Sequence, residues 1–230
     1  MIAWSHSRVA EFIKCPYKFW GMQVRRPKVE FRDTKATLEG KKIHKMLEER
    51  VRDGKAFPPE YQYLEKIAAP IIAAPGDKFV ETQLALDDAF SQCGWKDWKR
   101  AWVRAIADIL IINSPVAWIG DYKTGNPENG DEHQLMLSAG VLFQVFPEIQ
   151  RVTTGYIWTK LGEIRDEDFK VYHRDEMGPV WDILLARYAP LHHASETNEW
   201  PKLPEKFKCA YCEVNRDGLC DKAASVFKGR

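Results

Sequence analysis

Apolar residues recur at helical spacing through the first third of the chain, then give way to strand-like runs. Val9, Phe12 and Ile13 fall on one stripe of a first helix, and a second helix is predicted around Leu38 to Arg52. Pro58-Pro59 breaks the pattern; a helix through Tyr61 to Ile72 follows, closed by Pro75-Gly76. The period then changes to that of strands, from Phe79 to Leu86, Trp102 to Asn113 and Ala117 to Lys123. Ser114-Pro115 is a turn signal between the last two. Helical spacing returns from Asp131 to Phe146 and ends at Pro147. Val152 to Thr159 and Phe169 to Tyr172 read as further strands. A long helix is predicted from about Pro179 to His193, before the extended stretch Trp200 to Pro204. Helices, then a meander of strands, a helix and more strands define an α/β protein with a central mixed sheet flanked by helices.

Two of these strands carry carboxylates. Asp108 sits within Ile106-Ala107-Asp108-Ile109-Leu110, where an acid is costly to bury unless paired, protonated or bound to a metal. Asp121 follows the apolar run Trp118-Ile119-Gly120. If the Pro115 turn makes the two strands neighbours, both acids converge at one sheet edge. Such oxygen ligands suit Mg²⁺ or Mn²⁺, with the Tyr122 carbonyl as a third oxygen. Lys123 lies two residues past Asp121, on the same side of a strand. Its ammonium there can orient an attacking water or offset charge building on a phosphate. The competing reading is a plain ion pair between Asp108 and Lys123, which leaves Asp121 without a role.

Three further residues fit around that pair. His44 follows Gly40 on the second helix and becomes a metal ligand if that helix docks over the carboxylates. Glu81, central in its strand, is a further ligand or a carboxylate for a second metal. Gln134 opens the helix after the site and is placed to hydrogen-bond the lysine or the substrate.

Five cysteines are present. Cys209, Cys212 and Cys220 stand close together in a polar segment, Cys15 is far off, and Cys93 reads as an ordinary free thiol. Without a secretory signal, clustered cysteines point to metal ligation rather than disulfides. Cys15 is the natural fourth ligand, tying the first helix to the C-terminal tail. Four thiolates suit tetrahedral zinc or an iron–sulphur cluster, and the Cys-x₂-Cys spacing leans toward zinc.

Length and charge narrow the picture. The 230 residues suit one domain, and 45% hydrophobic with 29% charged residues is an ordinary globular composition. No apolar run is long enough to cross a bilayer, and the N-terminus lacks the layout of a signal peptide, so a cytoplasmic location is expected. A net charge of +1 gives no global field for nucleic acid, which leaves local clusters: Arg25, Arg26 and Lys28; Lys41, Lys42 and Lys45; Lys96, Lys99, Arg100 and Arg104. Trp95, Trp98 and Trp102 interleave with the last cluster. Cations among flat rings form a surface for unpaired bases, or equally a hairpin whose aromatics are core.

Taken in order, these residues resemble the PD-(D/E)XK nuclease superfamily in its RecB-like branch. The resemblance rests on Asp108, on Asp121-Tyr122-Lys123-Thr124-Gly125, and on Gly40-x₃-His44, Glu81 and Gln134. Ser5-His6-Ser7-Arg8 with Phe12-Ile13-Lys14-Cys15-Pro16-Tyr17 is similar to the N-terminal signature of that branch. One early and three late cysteines are similar to its iron–sulphur nucleases, including the CRISPR-associated Cas-four-type exonucleases. The resemblance implies a restriction-endonuclease-like core whose N- and C-terminal segments, 1–30 and 200–225, join in a four-cysteine cluster. It implies metal ligation by His44, Asp108, Asp121 and the Tyr122 carbonyl, with Asp108, Asp121 and Lys123 catalytic. It makes Gln134 the motif glutamine and assigns Cys15, Cys209, Cys212 and Cys220 to a [4Fe-4S] centre; Gln134, Arg8 of the N-terminal signature and Trp98 of the basic–aromatic cluster are expected to bind substrate. Two positions depart from the branch: Ser138 stands where a tyrosine is frequent, and Ala105 where a glycine is common. The expected activity is a Mg²⁺- or Mn²⁺-dependent exonuclease on single-stranded DNA. The alternatives are a non-catalytic nucleic-acid-binding module on the same fold and a zinc-stabilised hydrolase.

Overall fold

The computed structural model describes residues 2–30, 33–127 and 130–221. They form two compact units, one of Lys35–Leu184 and one that joins the residues through Thr34 to those from Leu185 onward.

The first of these holds a five-stranded sheet in the order β1 (Asp77–Leu86), β2 (Val103–Asn113), β3 (Val116–Lys123), β4 (Arg151–Trp158), β5 (Phe169–His173). Every neighbouring pair is antiparallel except β3 and β4. A parallel pair needs a crossover, and the helix Glu132–Val145 supplies it. Numbered along the chain, that helix is α5. It follows α1 (His6–Lys14), α2 (Pro16–Phe19), α3 (Lys35–Asp53) and α4 (Glu65–Ala73).

Apolar residues one turn apart on α3 and α4 bury against one face of the sheet. Ile43, Leu47, Ile67 and Ile71 meet Ile109, Ile111, Tyr122 and Ile157 there. On the alternate positions Tyr156 and Trp158 of β4 pack with Leu135 of α5. The mixed sheet flanked by helices is therefore as expected, with strand limits within two residues of those read from the pattern. The segment expected as one helix from Tyr61 to Ile72 is instead a 3₁₀ turn, Pro59–Leu64, running into α4. Proline is accommodated at the first position of such a turn, where no N–H is needed. The last long helix, α6 (Met177–Thr197), begins earlier than predicted because Pro179 occupies its first turn rather than its boundary.

In the other unit α1 buries Val9 and Phe12, while Ile13 of the expected stripe is 45% exposed. A π-helical turn, Trp20–Val24, follows α2, and the tail adds α7 (Lys206–Ala210) and α8 (Glu213–Arg216). Met22, Val29 and Val214 form a small core there, with Tyr17, Cys212, Leu219 and Cys220 packed around it. The Tyr17 hydroxyl donates to the Leu219 carbonyl at 3.0 Å, and Lys18 pairs with Glu213 at 2.8 Å. Among the described residues no helix is long and apolar enough to cross a membrane.

Candidate active site

The hydrogen-bonded ladder between β2 and β3 ends at Ile109↔Gly120. Asp108 and Asp121 are the next residues on their strands, so the two acids stand where the strands part. Asp108 is 9% exposed, and its Oδ2 accepts the Tyr122 N–H at 2.7 Å. That bond bridges the mouth of the fork and satisfies part of the buried charge.

Helices reach the fork from both faces. From α3, His44 places Nδ1 3.4 Å from Asp108 Oδ2, with its ring edge-on to Tyr122. Gly40, one turn earlier, brings α3 close: a Cβ there would lie 3.2 Å from Thr124 Oγ1. From α5, Gln134 donates through Nε2 to Asp121 Oδ1 and accepts through Oε1 from Lys123 Nζ at 3.1 Å. Lys123 also pairs with Asp121 Oδ2 at 2.6 Å. Lys123 thus pairs with Asp121, not with Asp108 as in the competing sequence reading.

β1 contributes Glu81. Its register partner would be Asp108, but the β1–β2 ladder skips from Val80↔Ile109 to Thr82↔Ala107, and Glu81 adopts φ +48°. A non-glycine residue in the left-handed region inside a strand is strained, and such strain gathers at functional positions. Here it accompanies a close set of donors: ligand atoms of His44, Glu81 and Asp108 lie within 4.8 Å of one another. One imidazole and two carboxylates fit a hard divalent cation. Asp121 is not in that tight trio; it adjoins it, held by the lysine and the glutamine.

The electrostatics match a site short of positive charge. Burial, then the neighbouring Asp108 charge, pushes the Asp121 carboxyl up to about 6, against the opposing pull of Lys123 and His44. Burial works against a charged His44, yet Asp108, Asp121 and Glu81 together raise its pKa. Partial desolvation and Asp108 also raise Glu81. The carboxyl shifts report burial first and then a neighbouring carboxylate that the nearby Lys123 and His44 do not fully offset, a balance that a divalent cation would change.

Sequence reasoning missed one residue here. Tyr156 lies beside Asp121 in the parallel β3–β4 register. Its hydroxyl donates to the Asp131 carbonyl at 2.8 Å and lies 3.3 Å from Gln134 Oε1, while its ring is 5.2 Å from Lys123 Nζ. Ser138 instead turns its hydroxyl back onto the Gln134 carbonyl at 3.0 Å. A tyrosine thus does reach the motif glutamine, but from β4. Two other residues are expected from the sequence to touch substrate. Arg8 belongs to the other unit, donating to the Ala3 carbonyl at 2.6 Å beneath Phe19. Trp98 lies in the loop between β1 and β2, 75% exposed.

The N- and C-terminal unit holds the remaining candidate chemistry. Cys15, Cys209, Cys212 and Cys220 all line one small cavity of about 20 Å³, with Tyr17, Lys18 and Lys202 around it. None of the four is in a disulfide. Free thiols gathered on one cavity are a donor set that fits zinc or an iron–sulphur centre.

Acidic ligands beside a positioned amine, at the parting of two strands in a mixed sheet, define the class: a metal-dependent nuclease. The chain belongs to the PD-(D/E)XK nuclease superfamily, whose family model matches residues 3–217. No curated protein matches the sequence. The solved structure described as "Crystal structure of SSO0001" is 13% identical, with 82% of this chain and 71% of that chain covered at a TM-score of 0.38. A likeness that distant adds nothing to the family assignment.

Proposed function

We propose that the protein is a Mg²⁺- or Mn²⁺-dependent deoxyribonuclease that hydrolyses phosphodiester bonds of single-stranded DNA as an exonuclease, in the cytoplasm. The observation that carries this reading is the fork, where Asp108 meets His44 and Glu81 while Asp121 is locked to Lys123 and Gln134. His44, Glu81, Asp108 and Asp121, with the Tyr122 carbonyl, would hold the cation. When bound, it supplies an acidified water and neutralises charge on the phosphate.

The chain's own groups do the rest. Gln134 fixes the Lys123 amine on one side and Asp121 on the other, so neither reorganises as the reaction proceeds. Lys123, paired with Asp121, orients the attacking water and offsets charge growing on the non-bridging oxygens. Tyr156 covers the amine and keeps the glutamine in register.

Cleavage of end-labelled single-stranded DNA with Mn²⁺ tests this. Asp108→Ala and Asp121→Ala should abolish it, and Lys123→Ala should slow it about 10²-fold, the scale of losing one transition-state electrostatic contact. An Asp121→Ala protein that degrades DNA as fast as its parent would leave the non-catalytic binding module as the function.

The same proposal gives the four thiols a structural [4Fe-4S] cluster that clips segments 1–30 and 200–225 together; residues 222–225 lie outside the described residues. Its support is four free cysteines on one cavity with two lysines beside them. A freshly purified anaerobic sample should absorb near ~400 nm and contain iron, since such centres absorb there through thiolate and sulphide ligation. A colourless, zinc-loaded sample would replace the cluster with a zinc site.

A further inference from the structure

Arg104 is a buried cation with no carboxylate on it among the described residues. The residue is 8% exposed, and its Nε and Nη2 are buried without a hydrogen-bond partner. Its guanidinium carbon instead lies over two indoles, 4.2 Å from the Trp98 ring centre and 5.3 Å from that of Trp95. A desolvated, unpaired guanidinium is expensive to keep. Stacking on two rings returns part of that cost and leaves the positive charge unspent.

The loop that carries the rings is pinned. Asp97 Oδ1 accepts the N–H groups of Lys99 and Arg100 at 3.2 and 3.1 Å, and its backbone closes turns onto Gly94 and Ala101. Arg100 is tied to Asp87 at 2.6 Å, and Asp87 in turn accepts from Ser91 and Ala89. Trp98 therefore stands on a rigid turn with 75% of its surface in solvent, its inner face on Arg104. Lys96 and Lys99 flank it, both exposed. Trp102, by contrast, is core: it packs edge-on to Phe90, which meets Trp181. The two readings of this aromatic cluster thus divide, with Trp102 structural and Trp98 on the surface.

Position supplies the direction. Arg104, Ile106 and Asp108 alternate along β2, so they project from the same face of the strand. Arg104 lies about 13 Å from Asp108 at the rise of an extended strand. Ile106, 42% exposed, floors the interval between them. An exposed apolar residue between the cation and the carboxylate fork leaves that face of the strand open to solvent.

We infer that the Trp95–Arg104–Trp98 stack is a platform for unpaired nucleic acid, on which a base stacks against the outer face of Trp98 while Arg104, Lys96 and Lys99 attract the backbone. A base in a duplex has no free face to offer, so the platform selects single strands. The inference rests on the nuclease reading and names the residues that give it substrate choice.

Binding is measured on the full chain in EDTA, so that cleavage does not enter, by anisotropy of a labelled oligothymidylate. Trp98→Ala should weaken affinity at least about fivefold, the lower end for loss of one base–aromatic contact. Trp98→Phe should retain most of the affinity. Arg104→Lys, which keeps the charge but loses the planar guanidinium, should weaken it as well. The exposed position of Trp98 leaves folding intact in its variants, so a folding defect in the Arg104 variant does not blunt the test. A parent that binds and cleaves single strands while Trp98→Ala binds equally well overturns the platform alone. A parent that neither binds nor cleaves overturns the nuclease reading, and the platform with it.

Discussion

Asp121 carries the tension of the site. Its carboxyl moves from the ordinary 3.8 up to about 6 in the metal-free protein. The folded state therefore holds a proton that the unfolded chain has released across that interval, and stability falls as pH rises through it. Thermal unfolding of metal-free protein should show the parent losing stability over this window relative to Asp121→Asn, whose side chain does not titrate. A parent that gains stability on that variant as pH rises would reverse the assignment. Asp108, Asp121 and Lys123 stood out in the sequence because charged groups are unusual in apolar strands, whereas His44 and Gln134 stood out only through the order of the motifs they resemble. Tyr156 was not legible: a tyrosine in Val152-Thr153-Thr154-Gly155-Tyr156 reads as core, and only the parallel register with β3 sets it beside Asp121. Tyr156→Phe, which frees Gln134 Oε1 of one neighbour and Asp131 of its hydrogen bond, should slow cleavage severalfold and cost about 1 kcal/mol of stability by denaturant titration.

Among the elements, the fork depends on β1 as well as on β2 and β3. Glu81 sits at φ +48° opposite Asp108, a conformation glycine adopts without strain. Glu81→Gly should therefore stabilise the metal-free protein by about 1 kcal/mol while weakening Mn²⁺ binding, a split that calorimetry and metal titration read separately. Loss of both stability and metal affinity would show that the strain is not where the ligand is. Gly120, the last residue of β3 paired to β2, has no room for a side chain: a Cβ would lie 2.5 Å from Ile157 Cδ1 and 2.8 Å from Trp118. Gly120→Ala should cost about 1–3 kcal/mol by overpacking. The strands and the helix between them could be read from periodicity and turn signals, while the strand order and the parallel β3–β4 pair come from the structure. The 3₁₀ start of α4 and the early start of α6 could not, because both prolines occupy first turns, where they favour the helix that a pattern reading ends there.

At the scale of the molecule, catalytic and cysteine chemistry belong to different compact units. The carboxylate fork lies wholly within residues 35–184, and the four thiols wholly within the unit built from the two ends of the chain. Cys15 could be matched to the tail from sequence only by counting ligands; in the structure all four cysteines line one cavity. Cys15→Ser should lower the melting temperature and, if the cluster is present, remove the absorbance near ~400 nm. The central claim is that the parting of β2 and β3 holds a hard divalent cation. A crystal soaked in Mn²⁺ and measured for anomalous scattering tests it most directly. The account predicts a peak bounded by His44, Glu81, Asp108 and Asp121 that disappears in Asp108→Ala. Full Mn²⁺ occupancy elsewhere, with no peak among those four residues, would contradict it.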